Sequence, residues 1–196
     1  HDEVSGGNDS TITGASWQQE EMCVVGDCLY FDGADDIVNF GSNESLDNLS
    51  EFTYVAWIKP TGWGEGNEGA IMKKDGFKEF RLLNNSSEKS LRGWVANDLS
   101  SNAKNNSIEL NEWQFVVMTF SESSKTIKLF KNGIEVDYSS IDSTGTLADD
   151  SAADFVIGNR VSTAQAFEGY IDEVRVYPYI RTAYQIKQDY NAGLAG

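Results

Sequence analysis

Apolar and polar residues alternate along most of this chain in short blocks, each ending at turn-forming residues. A period of two sends successive side chains to opposite faces of an extended segment, so each block reads as a strand. The blocks run over 28–33, 36–40, 52–60, 69–74, 77–84, 90–97, 106–110, 113–121, 126–131, 134–139, 154–159 and 168–178. One further short strand is expected within Thr11-Ile-Thr-Gly-Ala-Ser-Trp17, after a polar opening. Asn132-Gly133 divides two blocks and supplies the positive-φ pair of a two-residue hairpin turn. Short strands separated by turns in this way predict an all-β fold, a two-sheet antiparallel β-sandwich. The period changes only at the end. Thr182-Ala-Tyr-Gln185 has capping-box spacing, Ala183, Ile186 and Tyr190 share a helical face, and Gly193 suits the C′ position. A short C-terminal helix is expected there.

One strand departs from its own pattern. Between Phe167 and Tyr177, Asp172 shares parity with Val174 and Val176, which places a carboxylate on a buried face. A buried anion needs a cation or several hydrogen bonds. Calcium, which takes oxygen ligands, fits this need. A nearby arginine or lysine fits it equally. A second acidic block, Leu29-Tyr-Phe-Asp-Gly-Ala-Asp-Asp-Ile-Val38, lies far upstream and offers more oxygens.

The 196 residues are 40% apolar and 12% aromatic, enough for a sizeable core in a single domain over 1–196. No internal repeat, linker or low-complexity run divides them. A net charge of −16 argues against nucleic acid and anionic lipid as partners, since both call for a basic face. No apolar run is long enough for membrane insertion. No basic stretch followed by an apolar one opens the chain, so any export signal lies outside this sequence. The two cysteines, in Cys23-Val-Val-Gly-Asp-Cys28, are spaced for a small disulfide loop, which places the chain in an oxidising, extracellular compartment. Zinc would need two more ligands, and the one histidine is His1. Sequons at Asn43, Asn48, Asn84 and Asn105 show only that those loops tolerate polarity.

Laid in order, the blocks resemble the bacterial and archaeal laminin-G-like domains of the concanavalin A-like jelly-roll superfamily. The resemblance rests on Ser5–Trp17, Leu29–Val38, Phe52-Thr-Tyr-Val-Ala-Trp-Ile-Lys-Pro60, Glu112–Phe120, Ile127-Lys-Leu-Phe-Lys-Asn-Gly133, Val156-Ile-Gly158, Gly169–Tyr177 and the final helix. The family usually carries an extra strand before the first block, which implies clipping there. The resemblance implies a jelly roll with a structural calcium (Ca2+) near a sheet edge. Its side-chain ligands would be Asp32 and Asp172, with a carbonyl near Gly33 and with Asp35 and Asp36 in reserve.

Glycoside hydrolases of the same superfamily carry carboxylates at alternate positions of one strand, close enough for acid and nucleophile to flank a bond. The nearest match is Glu135-Val-Asp137, and the third carboxylate is missing. A histidine-based nucleophile relay cannot be assembled from one terminal histidine. Catalysis is therefore not expected. A carbohydrate-binding module needs aromatic platforms with polar groups beside them, and Trp63, Arg81, Trp94, Asn97 and Arg160 are the candidates. Trp63 stands in a glycine-rich loop, and Trp94 shares parity with Arg92 on what reads as an open sheet; the alternative is that Trp94 belongs to the core and Trp63 only covers a loop. Trp57 and Trp113 are assigned to the core. The other reading is a protein-binding adhesion or spacer module. In both, neighbouring domains of a larger secreted or cell-surface protein are expected, with a glycan or cell-surface protein as partner.

Overall fold

The computed structural model describes residues 9–85, 88–95, 98–162 and 164–194. In chain order the first strands are β1 (Thr11–Thr13), β2 (Ser16–Gln18), β3 (Cys28–Asp32), β4 (Ile37–Asn39) and β5 (Glu51–Pro60). Next come β6 (Ala70–Lys74), β7 (Lys78–Asn84), β8 (Lys89–Val95), β9 (Leu99–Ala103) and β10 (Gln114–Ser121). The last are β11 (Thr126–Lys131), β12 (Ile134–Glu135), β13 (Tyr138–Asp142), β14 (Phe155–Ile157) and β15 (Glu168–Tyr177), followed by the helix α1 (Ala183–Gly193). They form an eight-stranded sheet, β1-β4-β14-β6-β7-β8-β9-β13, and a seven-stranded sheet, β12-β11-β10-β5-β15-β3-β2. All pairings are antiparallel among the described residues, as a jelly-roll sandwich requires.

The main core lies between the sheets, where Phe31, Phe52, Tyr54, Phe80, Leu91 and Val116 are fully buried. Strand β5 explains why its block reads as a continuous apolar run: it is covered on both faces. Phe52, Tyr54 and Ile58 point between the sheets, while Val55 and Trp57 point outward beneath α1. There Ile186 is fully buried and Tyr190 stacks on Trp57 with centroids 5.6 Å apart. The capping box of α1 forms as expected: the Thr182 hydroxyl accepts from Gln185 N–H, and Gln185 Oε1 accepts from Thr182 N–H at 2.9 Å. Gly193 is the last helical residue instead of the C′ residue. A β-carbon there would lie 2.6 Å from Trp57 Nε1, so close helix–sheet contact is what requires glycine. Asn132 and Gly133 have φ of 52° and 77° and close the hairpin at the Lys131–Ile134 pair.

Further expectations change: the segment 11–17 holds two strands and the block 134–139 is split between β12 and β13. Residues 106–110 form a loop, turned by positive φ at Asn106 and Asn111 and anchored by the buried Ile108. The strand adjacent to β8 is instead β9, whose Leu-Ser-Ser-Asn-Ala composition hides its alternation. Leu99 and Ala103 enter the core, and Ser101 satisfies its inward hydroxyl on the Ile127 carbonyl at 2.9 Å. Another change concerns Asp172. It pairs with Trp57 while Arg175 pairs with Val55, so β15 carries an extra residue, bulged at Glu173 with φ of 48°. The bulge reverses parity. Val174 and Val176 pack on the main core, whereas Asp172 lies on the Trp57 side.

Charges are also buried at the end of the sandwich where β6 turns into β7. Lys74 pairs with Asp47 and Lys78 with Asp150, and both lysines are almost completely shielded from solvent. Burial, reinforced by the Asp150 charge, also drives the Tyr54 phenol far above its usual pKa.

Candidate functional site

Alternation decides what the eight-stranded sheet shows to solvent. Phe80, Leu82, Leu91 and Val95 point inward, so their neighbours Glu79, Arg81, Arg92 and Trp94 line the open face. Register then places them in rows. Lys73, Glu79, Trp94 and Ser100 lie side by side across β6 to β9, and Ala70, Arg81, Arg92 and Asn102 form the next row. Trp94 is partly exposed and stacks on no other ring among the described residues.

Ion pairs knit the face together. Arg81 pairs with Glu68 and, through Nε at 3.2 Å, with Glu79. Lys73 pairs with Glu79 at 2.9 Å and donates to Gln165 Oε1. Burial drags the Lys73 ammonium below its usual pKa despite the attraction of Glu79. Burial alone would raise Glu68, but Arg81 and a hydrogen bond from Gln165 hold its carboxyl below the ordinary range. At the β1–β4 end the same face carries a shallow groove of about 550 Å³, lined by Thr11, Thr13, Ile37, Asn39, Asp154 and Val161.

Of the residues singled out in the sequence, Arg81 and Trp94 come together on this face. Arg160 stands at its rim, with Nε 3.5 Å from Asp75 and the side chain 36% exposed. Asn97 lies outside the described residues. Trp63 does not join them as an open platform: its indole is half-buried and packs against the main core. Its loop is turned inward where Gly69 N–H donates to the Trp63 carbonyl at 2.9 Å. Arg92, placed by parity beside Trp94, and Glu79, placed by parity beside Arg81, join this face although neither is among the sequence candidates. A second aromatic row, Trp113, Tyr170 and Tyr30, crosses the outer face of the other sheet with centroid spacings of 6.2 and 5.0 Å. Nothing in the strand pattern distinguished it from core.

The acidic residues divide differently from expectation. Asp32 pairs in register with Glu168, and Leu29 pairs with Ile171, so Asp172 lies about 13 Å further along the sheet from Asp32. One ion cannot bridge that separation. Asp172 is instead satisfied by backbone: Oδ2 accepts from Val24 N–H at 2.8 Å and Val25 N–H at 3.0 Å, and Oδ1 from Glu173 N–H at 2.7 Å. It thereby clamps the loop closed by the Cys23–Cys28 disulfide. The residues held in reserve do meet Asp32. One carboxylate oxygen from each of Asp32, Asp35 and Asp36 lies within 4.8 Å of the others. Gly33, at φ of 84°, turns the chain between them. Asp36 is 4% exposed and accepts from Asp32 N–H at 2.7 Å; burial, with the charges of Asp32 and Asp35, raises its pKa.

Glu135 and Asp137 do not make a carboxylate pair facing a cleft. Glu135 pairs with Lys128 at 3.0 Å and accepts from the Tyr138 hydroxyl, while Asp137 lies beyond β12 and pairs with Lys104 in solvent.

Two antiparallel sheets, one with a polar face bearing an indole, define a lectin-like jelly-roll sandwich. The chain belongs to the concanavalin A-like lectin/glucanases superfamily, whose laminin-G-like family model matches residues 32–187. No curated protein sequence matches the chain. Among solved structures, domain 4 of AbnA, a GH43 extracellular arabinanase from Geobacillus stearothermophilus, in complex with arabinotriose, is 18% identical. The TM-score is 0.63, with 91% of this chain and 86% of that one covered. The binding domain of Paraclostridial Mosquitocidal Protein 1 is 16% identical with a TM-score of 0.70, covering 95% and 48%. The ligand binding domain of botulinum neurotoxin serotype D in complex with N-acetylneuraminic acid is 14% identical with a TM-score of 0.64, covering 96% and 47%. The chain thus spans about half of the two toxin chains. At these identities the likeness is one of fold.

Proposed function

We propose that the chain is a non-catalytic carbohydrate-binding module of a larger extracellular protein, with its sugar site around Trp94. The observation that carries this reading is a partly exposed indole on a sheet face, beside the partly exposed Arg92 and the buried, ion-paired Arg81. Stacking a sugar face on an aromatic ring while neighbouring polar groups bind its hydroxyls is the general chemistry of such sites. The arabinotriose and N-acetylneuraminic acid complexes of the structural neighbours support a glycan as partner. The engagement of Glu135 and Asp137 in surface ion pairs supports a non-catalytic role. The disulfide supports an oxidising compartment. In a screen of soluble polysaccharides read by calorimetry, Trp94→Ala is expected to weaken binding by about 2 kcal/mol, roughly thirtyfold. Unchanged affinity in a folded variant would remove Trp94 from the site.

The competing protein-binding reading is favoured by one feature. Trp17, Met22 and Val25, on β2 and the loop that follows, are 61%, 38% and 41% exposed. A glycan screen without hits would transfer the assignment there.

The proposal includes a structural calcium held by Asp32, Asp35 and Asp36. The donor set suits it: three carboxylates converge, and the buried Asp36 is a poor site for an uncompensated charge. Calcium would neutralise these charges and tie β3 to β4. Ten millimolar calcium after EDTA treatment is expected to stabilise the protein by about 2 kcal/mol, and Asp36→Asn to abolish that gain. Equal calcium responses in the two proteins would reject the site.

A further inference from the structure

One cation of the open face is left out of its ion pairs. Lys73, Arg81 and Arg160 meet Glu68, Asp75 and Glu79. Glu68 and Glu79 are engaged by Arg81, Glu79 also by Lys73, and Asp75 by Lys73 and Arg160. Arg92 has no carboxylate within ion-pair distance among the described residues. Glu68, Glu79 and Glu88 act on it only at longer range, and Glu88 accepts a hydrogen bond from Ser139 at 2.7 Å.

Arg92 also stands opposite Arg81 across the β7–β8 ladder, a like-charge pairing in which Glu68 and Glu79 are bound to Arg81 and not to Arg92. Its side chain is partly buried, with Nε shielded from solvent and unbonded. Asn102, opposite Arg92 on β9, has a buried Oδ1 that is likewise unbonded. Trp94 is two residues along the same strand on the same face, about 7 Å away between Cα atoms. A sugar ring on the indole would therefore hold an attached carboxylate within reach of the Arg92 guanidinium, which binds carboxylates as a fork.

We propose that the glycan bound at this face is acidic, a uronate or sialate whose carboxylate docks on Arg92. This rests on the sugar site proposed above. At a net charge of −16 the protein repels polyanions as a whole, so non-specific adsorption cannot imitate a preference for them.

The test titrates the whole chain with trigalacturonic acid against its methyl ester, and with sialyllactose against lactose. In at least one pair the acid is expected to bind about tenfold more tightly than its neutral counterpart. Which pair responds distinguishes uronate from sialate. Arg92→Gln should bring that ratio close to one, and Arg92→Lys should keep a reduced preference because it retains charge without the fork. Thermal melting of each variant establishes that it is folded. Equal affinity for acid and neutral forms, or a preference that survives Arg92→Gln, overturns the acidic assignment while leaving a glycan site in place. Absence of binding to these probes and to every member of the neutral polysaccharide screen overturns both readings together.

Discussion

Asp150→Ala is expected to destabilise the protein by about 3–5 kcal/mol, the range found when one partner of a buried ion pair is removed. Asp150 and Lys78 are each 1% exposed, so the Lys78 ammonium would be left without its counter-charge and without water. Asp150 Oδ1 also accepts from Asn48 N–H at 2.6 Å, and the same substitution orphans that donor. The nearby Phe52 ring, 5.7 Å from Lys78 Nζ, offers only a weak substitute. Urea unfolding measures the loss. Two controls fix the interpretation. Asp137→Ala removes an exposed pair with Lys104, whose side chains are 63% and 81% exposed, and is expected to change stability by less than about 1 kcal/mol. Replacing Lys78 and Asp150 together by apolar residues of similar volume should recover most of the loss, because an isolated buried charge is the cause. A small effect of Asp150→Ala would show that water reaches Lys78.

Asp172→Ala is expected to reduce stability by about 3 kcal/mol, and by the same amount in EDTA and in calcium. Three backbone N–H groups lose a charged acceptor, and hydrogen bonds to charged groups are stronger than neutral ones. The amides of Val24 and Val25 should exchange with solvent faster, since local opening of the disulfide loop no longer breaks those bonds. Here Asp172 and Asp36 part company. The first should affect stability without touching the calcium response, and the second should affect the calcium response itself. A destabilisation by Asp172→Ala that disappears in EDTA would return Asp172 to an ion's coordination shell.

The sandwich was legible because its strands obey period two and its turns carry the residues their geometry demands, as at Asn132-Gly133. What the sequence concealed follows from single residues. One bulged residue at Glu173 sends Asp172 to the opposite face from Val174, and no period-two reading detects an extra residue inside an otherwise regular strand. The burial of Asp172 was legible, but its partners were not, because they are backbone groups of a loop distant in sequence. Strand β9 was hidden by serine and asparagine, which carry little strand preference although alternate positions of the segment are buried. At the candidate site, parity correctly placed Trp94 and Arg92 together. The opposition of Arg92 and Arg81 depends on the β7–β8 register, which no local pattern specifies.

We propose Trp94 on the eight-stranded sheet as the sugar platform. That role is tested most directly by following the indole N–H signals of the five tryptophans in a 15N–1H spectrum during titration with an oligosaccharide from the screen. Trp94→Ala identifies the Trp94 signal, and corresponding single variants identify the others. The Trp94 signal is expected to move most, and that of Trp57, covered by α1, to stay fixed. Largest shifts at Trp113, in the aromatic row of the seven-stranded sheet, or at the exposed Trp17, with Trp94 unmoved, would contradict that role.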